Sequence, residues 1–275
     1  MLSLVTGASS GIGLEYATQL ARDYHTDLLL VSNQQQELQQ VANDLAAQYG
    51  VRTIPLYADL SQQDAAEQVH QYGVDNNLVV DILINNAGVF FFNPYCETSM
   101  KRIELMLNLH MITVAKLTRL FGEEMINRQL TEEEQAQKIC SKPRQKGYIL
   151  NMSSYSIWMP WPGLAVYSAS KAYLKSFSVA FAKEVKDKGV TVTAICPAGI
   201  ATDLYGLPKN LQKLGVKIGG LMTAKSCARR GLKAMFKGRR VVVPDWWFRI
   251  LIPICSFLPG FVIRPLRNFT QKWQK

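Results

Sequence analysis

Residues 2–13 read Leu2-Ser3-Leu4-Val5-Thr6-Gly7-Ala8-Ser9-Ser10-Gly11-Ile12-Gly13, and this stretch decides the fold. A short apolar run, typical of a buried strand, leads through a glycine-rich turn into an amphipathic helical pattern. Glycine lets the backbone turn sharply and approach a ligand closely. The start of a helix offers unpaired N–H groups and a positive dipole end to a phosphate. The stretch predicts a phosphate-binding strand–turn–helix unit or, as the alternative, a tight turn without a ligand.

The same alternation of strand and helix continues along the chain. Seven apolar runs are predicted as strands: Leu2–Thr6, Asp27–Ser32, Arg52–Ala58, Val79–Ile84, Gly147–Met152, Val190–Cys196 and Arg240–Val243. The helical patterns between them are Gly11–Arg22, Gln34–Tyr49, Gln62–Tyr72, Thr98–Asn127 and Ala165–Lys186. Runs that are apolar on both faces indicate a buried parallel sheet. We therefore predict an α/β fold: a Rossmann-type, doubly wound, seven-stranded parallel sheet with helices on both faces.

Length and composition suit a single large domain. The 275 residues are 48% hydrophobic, so we assign residues 1–245 to one dinucleotide-binding and catalytic domain and 246–275 to a hydrophobic, basic extension. The polar stretch Arg128–Lys146 is expected to extend a helix and then form a solvated loop. The five cysteines are scattered without CxxC spacing, which argues against a disulfide framework or a metal site. No secretory signal is recognisable at the start, so we expect a cytoplasmic protein.

The formal net charge of +10 is concentrated late in the chain, where Asp245 is the single acid after Tyr205. Such a balance fits nucleic acid, anionic lipid or a phosphate-rich ligand. The basic residues are interleaved with apolar ones and no nucleic-acid recognition motif accompanies them. We therefore expect no nucleic-acid partner.

From the glycine turn onwards, over roughly residues 2 to 202, the sequence resembles the short-chain dehydrogenase/reductase family. The family's TGxxxGxG turn is matched by Thr6, Gly7, Gly11 and Gly13, its acid after the third strand by Asp59, and its NNAG signature by Asn85-Asn86-Ala87-Gly88. The resemblance implies a bound nicotinamide dinucleotide. The residues implied to bind it are Thr6, Gly7, Ser9, Ser10, Gly11, Ile12, Gly13, Ser32, Asn33, Asp59, Leu60, Asn86, Ala87, Gly88, Tyr167, Lys171, Pro197, Gly199, Ile200 and Thr202.

The motif Tyr167-Ser168-Ala169-Ser170-Lys171 places a phenol and an amine four residues apart on one helix face. A free tyrosine has a pKa of about 10, too high for easy proton exchange at neutral pH. An ammonium roughly 5 Å away would lower that pKa by about 2 at an effective dielectric near 20. Tyr167 is therefore the predicted proton donor, assisted by Lys171.

The resemblance adds two further catalytic residues. Ser154 stands where the family has a serine that holds the substrate oxygen, with Ser153 as the alternative. Asn108 matches the family's helix asparagine, which binds a water that links the lysine to solvent; capping or packing is its alternative role. Together these imply an NAD(P)-dependent oxidoreductase that interconverts a ketone and a secondary alcohol. A non-catalytic nucleotide-binding scaffold on the same fold is the competing hypothesis.

The nucleotide preference depends on the residues after the second strand, Ser32-Asn33-Gln34. An acid at this place would accept from the ribose 2′-hydroxyl of NAD and repel the 2′-phosphate of NADP. These residues are uncharged and can donate hydrogen bonds, so NADP is favoured over NAD. Another departure is Pro197-Ala198-Gly199-Ile200-Ala201-Thr202, where Ala198 replaces the glycine of the family's PGxxxT.

Apolar residues crowd the places where the family builds its substrate pocket. They are Phe90, Phe91 and Phe92 after the NNAG turn, and Tyr155, Ile157, Trp158, Met159 and Trp161 between Ser154 and Tyr167. They suggest a large hydrophobic substrate, with core or dimer packing as the alternative. The chain is similar to lipid-ketone reductases that act on long-chain 3-oxoacyl groups, 3-ketosphinganine or steroids. The resemblance also implies a homodimer or homotetramer.

The segment Trp246–Ile263 is apolar and flanked by basic residues, but it contains Arg249, two prolines and a glycine. A spanning helix needs about 20 apolar residues, so a full crossing is disfavoured. Peripheral contact with an anionic membrane and packing as a lid or oligomer contact are the two open alternatives. Finally, none of His25, His70 and His110 stands with an acid and a nucleophile in a recognisable order, which argues against a serine hydrolase.

Overall fold

A computed structural model describes residues 1–128, 147–159 and 161–255 of the chain. Seven strands form one fully parallel sheet in the order β3-β2-β1-β4-β5-β6-β9, which confirms the predicted fold class. The strands are β1 (Leu2–Thr6), β2 (Asp27–Ser32), β3 (Thr53–Tyr57), β4 (Val80–Asn85), β5 (Gly147–Met152), β6 (Val190–Ile195) and β9 (Val241–Val242). Two further short strands, β7 (Ile200–Ala201) and β8 (Met222–Thr223), pair with each other beside this sheet.

Helices cover both faces of the sheet. They are α1 (Gly11–Tyr24), α2 (Gln35–Tyr49), α3 (Ala65–Asp75), α4 (Met100–Leu107), α5 (Thr113–Asn127), α6 (Ala165–Glu184), α7 (Lys209–Lys217), α8 (Ala224–Phe236) and α9 (Trp246–Cys255). Helices α7 and α8 and the strand pair β7–β8 were not predicted from the sequence. They lie in the basic second half of the chain, and the sequence analysis overlooked the amphipathic pattern of both helices.

Two hydrophobic cores hold these layers together. Adjacent strand residues serve opposite cores: Val5 packs with α1, α2 and α8, whereas Leu4 packs with α3, α5 and α6. This is the alternation expected when both faces of a parallel sheet are covered. Burial of apolar surface on both faces fixes the carboxyl ends of all the strands along one edge, where ligands of such sheets bind.

The predicted single helix Thr98–Asn127 is interrupted. Ser99 caps α4 by accepting from the Arg102 N–H, and a π-helical turn at Asn108–Ile112 then separates α4 from α5. A π-turn inserts one extra residue into a helix and is often found at functional sites. Here the turn carries the fully buried His110 to the cleft described below.

A third, smaller core joins the beginning of α9 to the rest of the molecule. Tyr155, Cys196 and Val243 form its centre, and Phe248 packs against them. The Tyr155 hydroxyl donates to the Phe248 carbonyl at 2.9 Å. The first turn of the C-terminal extension is therefore part of the packed domain. Within the described ranges no helix has the length and apolar character needed to cross a bilayer. The predictions for residues 129–146 and for the part of the tail after Cys255 fall outside those ranges.

Candidate active site

A cleft of about 530 Å³ opens along the carboxyl ends of β1 and β4. These neighbouring strands flank the point where the strand order reverses, since β1 also pairs with β2 on its other side. In doubly wound sheets ligands bind at this switch point, and the volume lies within the roughly 300–1,000 Å³ typical of ligand pockets. Eighteen residues with predicted cofactor or catalytic roles line the cleft: Gly7, Ser9, Ser10, Gly11, Ile12, Ser32, Asn33, Asp59, Leu60, Asn86, Ala87, Gly88, Ser154, Tyr167, Lys171, Pro197, Ile200 and Thr202.

The glycine turn is built for close approach of backbone to backbone. Gly7 has a φ of +65°, and a Cβ there would lie 2.9 Å from Ala87 Cα. A Cβ on Gly13 would lie 2.0 Å from the Gly7 carbonyl oxygen. Ser10, the residue before α1, makes no side-chain capping bond. The first N–H groups of α1 thus remain available beside the cleft, as phosphate binding requires.

Thr6 and Gly13 do not line the cleft themselves but support it. The Thr6 hydroxyl oxygen accepts from the N–H groups of Asn86, at 2.9 Å, and Ala87, at 3.0 Å. The Asn86 side-chain amide donates to the Thr6 carbonyl at 3.0 Å. These bonds join the turn after β1 to the turn after β4, so the two walls of the cleft are fixed relative to each other.

Three residues at the far end of the cleft form a closed ring of hydrogen bonds. The Gln34 backbone N–H donates to the Ser32 hydroxyl at 3.2 Å. The Ser9 hydroxyl donates to Gln34 Oε1 at 2.6 Å, so the 2.9 Å contact between the two serine hydroxyls is donated by Ser32. Within the described part of the chain, the Gln34 side-chain N–H groups and the exposed Asn33 side chain make no hydrogen bond. The ring therefore leaves amide donors at the mouth of the cleft.

Asp59 lies at the same end, after β3. Burial disfavours its charged form, but hydrogen bonds from Gln62 and Ser61 outweigh burial and hold the Asp59 pKa below its usual value. The Ser61 N–H and hydroxyl donate at 3.0 and 2.8 Å, and the Gln62 amide at 3.0 Å. Asp59 is therefore an ordered carboxylate at neutral pH.

Three of the four predicted catalytic residues, Ser154, Tyr167 and Lys171, meet at the other end. Ser154 follows β5, and Tyr167 lies in the first turn of α6; both line the cleft, and the Ser154 side chain acts on the Tyr167 hydroxyl. The Ser154 oxygen also accepts from the Ser156 N–H at 3.1 Å. Burial raises the Tyr167 pKa to about 12, although the bond from Ser154 opposes the rise. The tyrosine is thus a protonated phenol at neutral pH.

Lys171 lies one helical turn after Tyr167 on the same face. Its ammonium donates to the Met152 carbonyl at 2.9 Å and lies 5.8 Å from the centre of the Tyr167 ring. Burial lowers the Lys171 pKa to about 7. The sequence argument expected the lysine charge to make the phenol acidic. In the structure, loss of hydration is the largest influence on the pKa of both groups: it raises that of Tyr167 and lowers that of Lys171.

Ser153 and Ser154 have different surroundings. The Ser153 hydroxyl donates to the Lys171 backbone carbonyl at 2.7 Å and its backbone N–H to the Ile195 carbonyl at 2.8 Å. The Ser153 proton is therefore donated to the backbone of α6, whereas the Ser154 side chain acts on the Tyr167 hydroxyl. The geometry favours Ser154 as the residue that contacts a substrate oxygen.

Asn108 and Gly199 do not line the cleft. Asn108 begins the π-turn, and its neighbours Leu109 and His110 line the cleft instead. Gly199 packs against Leu221, and a Cβ there would lie 2.5 Å from Leu221 Cδ2. The structure thus places Gly199 behind the lining and Asn108 one residue away from it.

Sequence reasoning missed two aromatic residues of the site, His110 and Tyr205. Tyr205 lines the cleft, and its ring packs edge-on to Phe90 with centroids 4.8 Å apart; Phe90 packs edge-on to Tyr167 at 4.9 Å. His110 has its ring centre 5.9 Å from that of Tyr167. Tyr205 lies after the PGxxxT-like segment, in a stretch with no pattern that indicates a site.

The expectation that residues 155–159 line a substrate pocket was wrong for this cleft. Tyr155, Ile157, Trp158 and Met159 pack in the third core with Phe248, and Trp161 does not line the cleft either. The alternative of core packing is what the structure shows for the first four. Their partner comes from the C-terminal extension, which lies too far along the chain for a local pattern to reveal.

The parallel sheet, the open turn at its switch point and the Tyr167–Lys171 pair beside it define a Rossmann-type α/β protein with a candidate active site. More specifically, the chain belongs to the short chain dehydrogenase family, whose sequence model matches residues 2–208.

Similar proteins include reductases and dehydrogenases of lipids. The very-long-chain 3-oxoacyl-CoA reductase of Anas platyrhynchos is 33% identical over 211 residues, covering 75% of this chain and 62% of the relative. The 17-beta-hydroxysteroid dehydrogenase type 3 of Mus musculus is 29% identical over 204 residues, covering 74% and 61%. This chain thus spans less than two thirds of the length of either relative. Among solved structures, a short-chain dehydrogenase from Sphingobium yanoikuyae in complex with NADPH has a TM-score of 0.74 at 24% identity, covering 94% of this chain and 96% of that one.

Proposed function

We propose that this protein is an NAD(P)-dependent reductase of a hydrophobic, lipid-like ketone. The observation that carries the proposal is the meeting of Ser154, Tyr167 and Lys171 at one end of a glycine-walled cleft. The uncapped start of α1 and the close packing at Gly7 fit the pyrophosphate of a dinucleotide. At this edge of the sheet, those groups would hold the nucleotide with its reactive end towards Tyr167.

A reduced nicotinamide, when bound, supplies a hydride to the carbonyl carbon. Tyr167 is protonated at neutral pH, because its pKa is about 12, and it donates that proton to the carbonyl oxygen. Ser154 donates a hydrogen bond to the same oxygen and stabilises the developing alkoxide. Lys171, with a pKa of about 7, then returns a proton to the tyrosine. Asn108 would bind the water that reloads Lys171, as the family resemblance implies.

For the nucleotide we favour NADP over NAD. The amides of Asn33 and Gln34 stand at the mouth of the cleft without acceptors from the described residues, and they can donate to a 2′-phosphate. No carboxylate follows β2 to repel that phosphate. Asp59, held ionised by Ser61 and Gln62, is suited to the adenine side.

The substrate class follows from the walls of the cleft and from α7. Phe90, Leu204 and Tyr205 form an apolar wall beside Tyr167. Lys209 lines the cleft, and Lys213 and Lys217 follow it at helical spacing along the exposed face of α7. An apolar wall followed by a row of ammonium groups fits an acyl chain with a phosphate-bearing head. We therefore rank a long-chain 3-oxoacyl-CoA first, and 3-ketosphinganine or a steroid ketone second.

The test is turnover, measured as NADPH or NADH oxidation, across long-chain 3-oxoacyl-CoA, the same acyl chain on N-acetylcysteamine, 3-ketosphinganine and a 17-ketosteroid. We expect the highest kcat/KM for the CoA thioester with NADPH. Replacing Lys213 and Lys217 by Ala should raise KM for the CoA ester and leave the phosphate-free thioester unchanged. Equal KM changes for both thioesters would exclude binding of the CoA phosphates by the lysines of α7. Tight nucleotide binding without turnover of any ketone would favour the scaffold hypothesis.

We also expect a homodimer or homotetramer. The family resemblance implies pairing through the helices that are α5 and α6 here. Tyr173, Phe177 and Phe181 form a stacked, partly exposed aromatic row on α6, with ring centres 5.7 and 6.1 Å apart. Light scattering with chromatography tests this: Phe177→Asp should yield monomers, and an unchanged mass would refute pairing through α6.

We propose further that α9 contacts the cytoplasmic surface of an anionic membrane. Trp246 and Ile250, one turn apart, are 68% and 62% exposed. The Arg249 guanidinium donates to the Val243 carbonyl at 2.7 and 3.0 Å, which fixes the turn that carries them. An exposed cationic row runs along the preceding helix and its end: Lys225, Arg229, Lys233 and Lys237. Exposed apolar side chains and a row of exposed cations suit the headgroup region of an anionic bilayer.

A further inference from the structure

His110 is buried at the centre of the site, and the mechanism above does not use it. Its side chain is 0% exposed, and it lies in the π-turn between α4 and α5. A Cβ added to Gly88 would lie 2.9 Å from His110 Nε2 and 3.7 Å from Lys171 Nζ. The imidazole therefore lies next to both the turn after β4 and the catalytic lysine. A polar ring buried this completely must have its hydrogen bonds satisfied by defined partners.

The partners of His110 determine which ring nitrogen carries the proton. The Val89 backbone N–H donates to Nε2 at 3.0 Å, so Nε2 is an unprotonated acceptor. The Ser170 hydroxyl donates to the Tyr167 carbonyl at 2.8 Å, so it can only accept at its 3.0 Å contact with His110 Nδ1. Nδ1 therefore carries the proton.

These three bonds form one chain with a single direction. It runs from the Val89 N–H to His110, from His110 to the Ser170 hydroxyl, and from Ser170 to the Tyr167 carbonyl. At one end is the turn after β4 that walls the nucleotide cleft. At the other is the helical turn that carries the tyrosine. Donors and acceptors aligned in this way polarise one another and hold both ends in register.

This chain of hydrogen bonds requires a neutral imidazole. A second ring proton would set Nε2 as a donor against the Val89 N–H, which is also a donor. Burial, and then the charge of Lys171, hold the His110 pKa well below its usual value. The titratable groups that face the ring are Lys171 and Tyr167. No described carboxylate is among them.

We propose that His110 is a positioning residue that sets the distance between the nucleotide-binding turn after β4 and Tyr167. The proposal rests on the function proposed above only for its kinetic consequences. A misplacement of about 1 Å can cost on the order of a hundredfold in rate. Loss of this chain of hydrogen bonds should therefore change kcat by a larger factor than it changes the KM for the nucleotide.

The kinetic test uses His110→Gln, which keeps an acceptor for the Val89 N–H, and Ser170→Ala, which breaks the chain at its other end. Ser178→Ala is the matched control, because Ser178 is a buried serine on the same helix that bonds Leu174 and Asn151 instead. We expect His110→Gln and Ser170→Ala each to lower kcat at least about tenfold, with KM for the nucleotide within about threefold. The double variant should be no slower than the slower single variant, because both substitutions break the same chain of hydrogen bonds. If kcat falls no further than in Ser178→Ala, or if the two effects multiply, the proposal is overturned.

A second test needs no activity and so separates this proposal from the proposed function. In ¹⁵N NMR of the wild-type protein without ligand, the signal absent from His110→Gln is assigned to His110. It should show the Nδ1–H tautomer and no titration in the ordinary histidine range around pH 6.5. An Nε2–H tautomer, or titration in that range, would contradict the hydrogen-bond chain even if the enzyme reduces ketones as expected.

Discussion

Ser154 and Tyr167 both line the cleft, one just after β5 and the other at the start of α6, and Lys171 lies beside the tyrosine. The neighbouring Ser153 donates to the Lys171 carbonyl at 2.7 Å. We therefore propose separate roles for the two adjacent serines: Ser154 contacts the reacting oxygen, whereas Ser153 connects β5 to α6.

This difference predicts opposite outcomes for the two serine-to-alanine variants. Ser154→Ala should lower kcat by about 10²–10³-fold, the usual cost of removing one donor to a developing oxyanion. Ser153→Ala should lose about 1 kcal/mol of unfolding free energy for its buried hydrogen bond and retain most of the activity. Steady-state kinetics and urea unfolding of both variants measure this. A larger loss of kcat in Ser153→Ala than in Ser154→Ala would reverse the assignment.

Asn33 should determine the choice of nucleotide. Asn33→Asp introduces a carboxylate where the 2′-phosphate of NADP would lie, so the ratio of kcat/KM for NADPH over NADH should fall at least about tenfold. Asn43→Asp makes the same charge change at an exposed position on α2 away from the cleft and serves as the control. If both variants change the ratio equally, Asn33 does not determine the preference between NADPH and NADH.

The buried imidazole of His110 predicts a specific loss of stability in acid. The unfolded chain takes up a proton near the ordinary histidine pKa of 6.5, whereas the folded pKa lies well below it. Below pH 6.5 the unfolded state therefore binds more protons, and the free energy of unfolding falls as pH falls. The slope is at most about 1.4 kcal/mol per pH unit from this one residue.

Urea unfolding at pH 7 and pH 5.5 tests that prediction. Wild type should lose more stability over this interval than His110→Gln, because glutamine does not titrate. Losses of the same size in both proteins would mean that His110 takes up its proton equally well in the folded state. Other titrating groups are common to the two proteins and cancel in the comparison.

The exposed residues of α9 predict peripheral membrane binding. Vesicles containing phosphatidylglycerol should carry the protein upward in a flotation gradient, and Trp246→Ser with Ile250→Ser should abolish this. The control is Val74→Ser with Val79→Ser, which removes two other exposed apolar side chains, 49% and 60% exposed, at a distant site on α3 and before β4. Equal flotation of the α9 variant and wild type would exclude contact through this helix.

The sequence was sufficient to predict the sheet, because strands buried on both faces are marked by continuous apolar runs such as Asp27–Ser32. It also located most of the cleft, since Gly7, Asn86 and Tyr167 belong to motifs of fixed spacing. It did not reveal the π-turn, because the phase shift that one extra residue causes was not recognised within the apolar pattern of 98–127. His110 was dismissed for lacking an acid and a nucleophile, yet its partners are a backbone N–H and a serine. The packing of Tyr155 against Phe248 joins segments 93 residues apart, beyond the reach of any local pattern.

We propose that Tyr167 donates the proton while other residues hold the nucleotide. The most direct measurement compares Tyr167→Phe with wild type for NADPH binding, followed by fluorescence titration, and for single-turnover reduction of the preferred ketone. We predict a dissociation constant for NADPH close to that of wild type and a rate of reduction lower by about 10²–10⁴-fold, the usual contribution of a positioned general acid. A Tyr167→Phe protein that reduces the ketone at a rate near that of wild type would contradict the account.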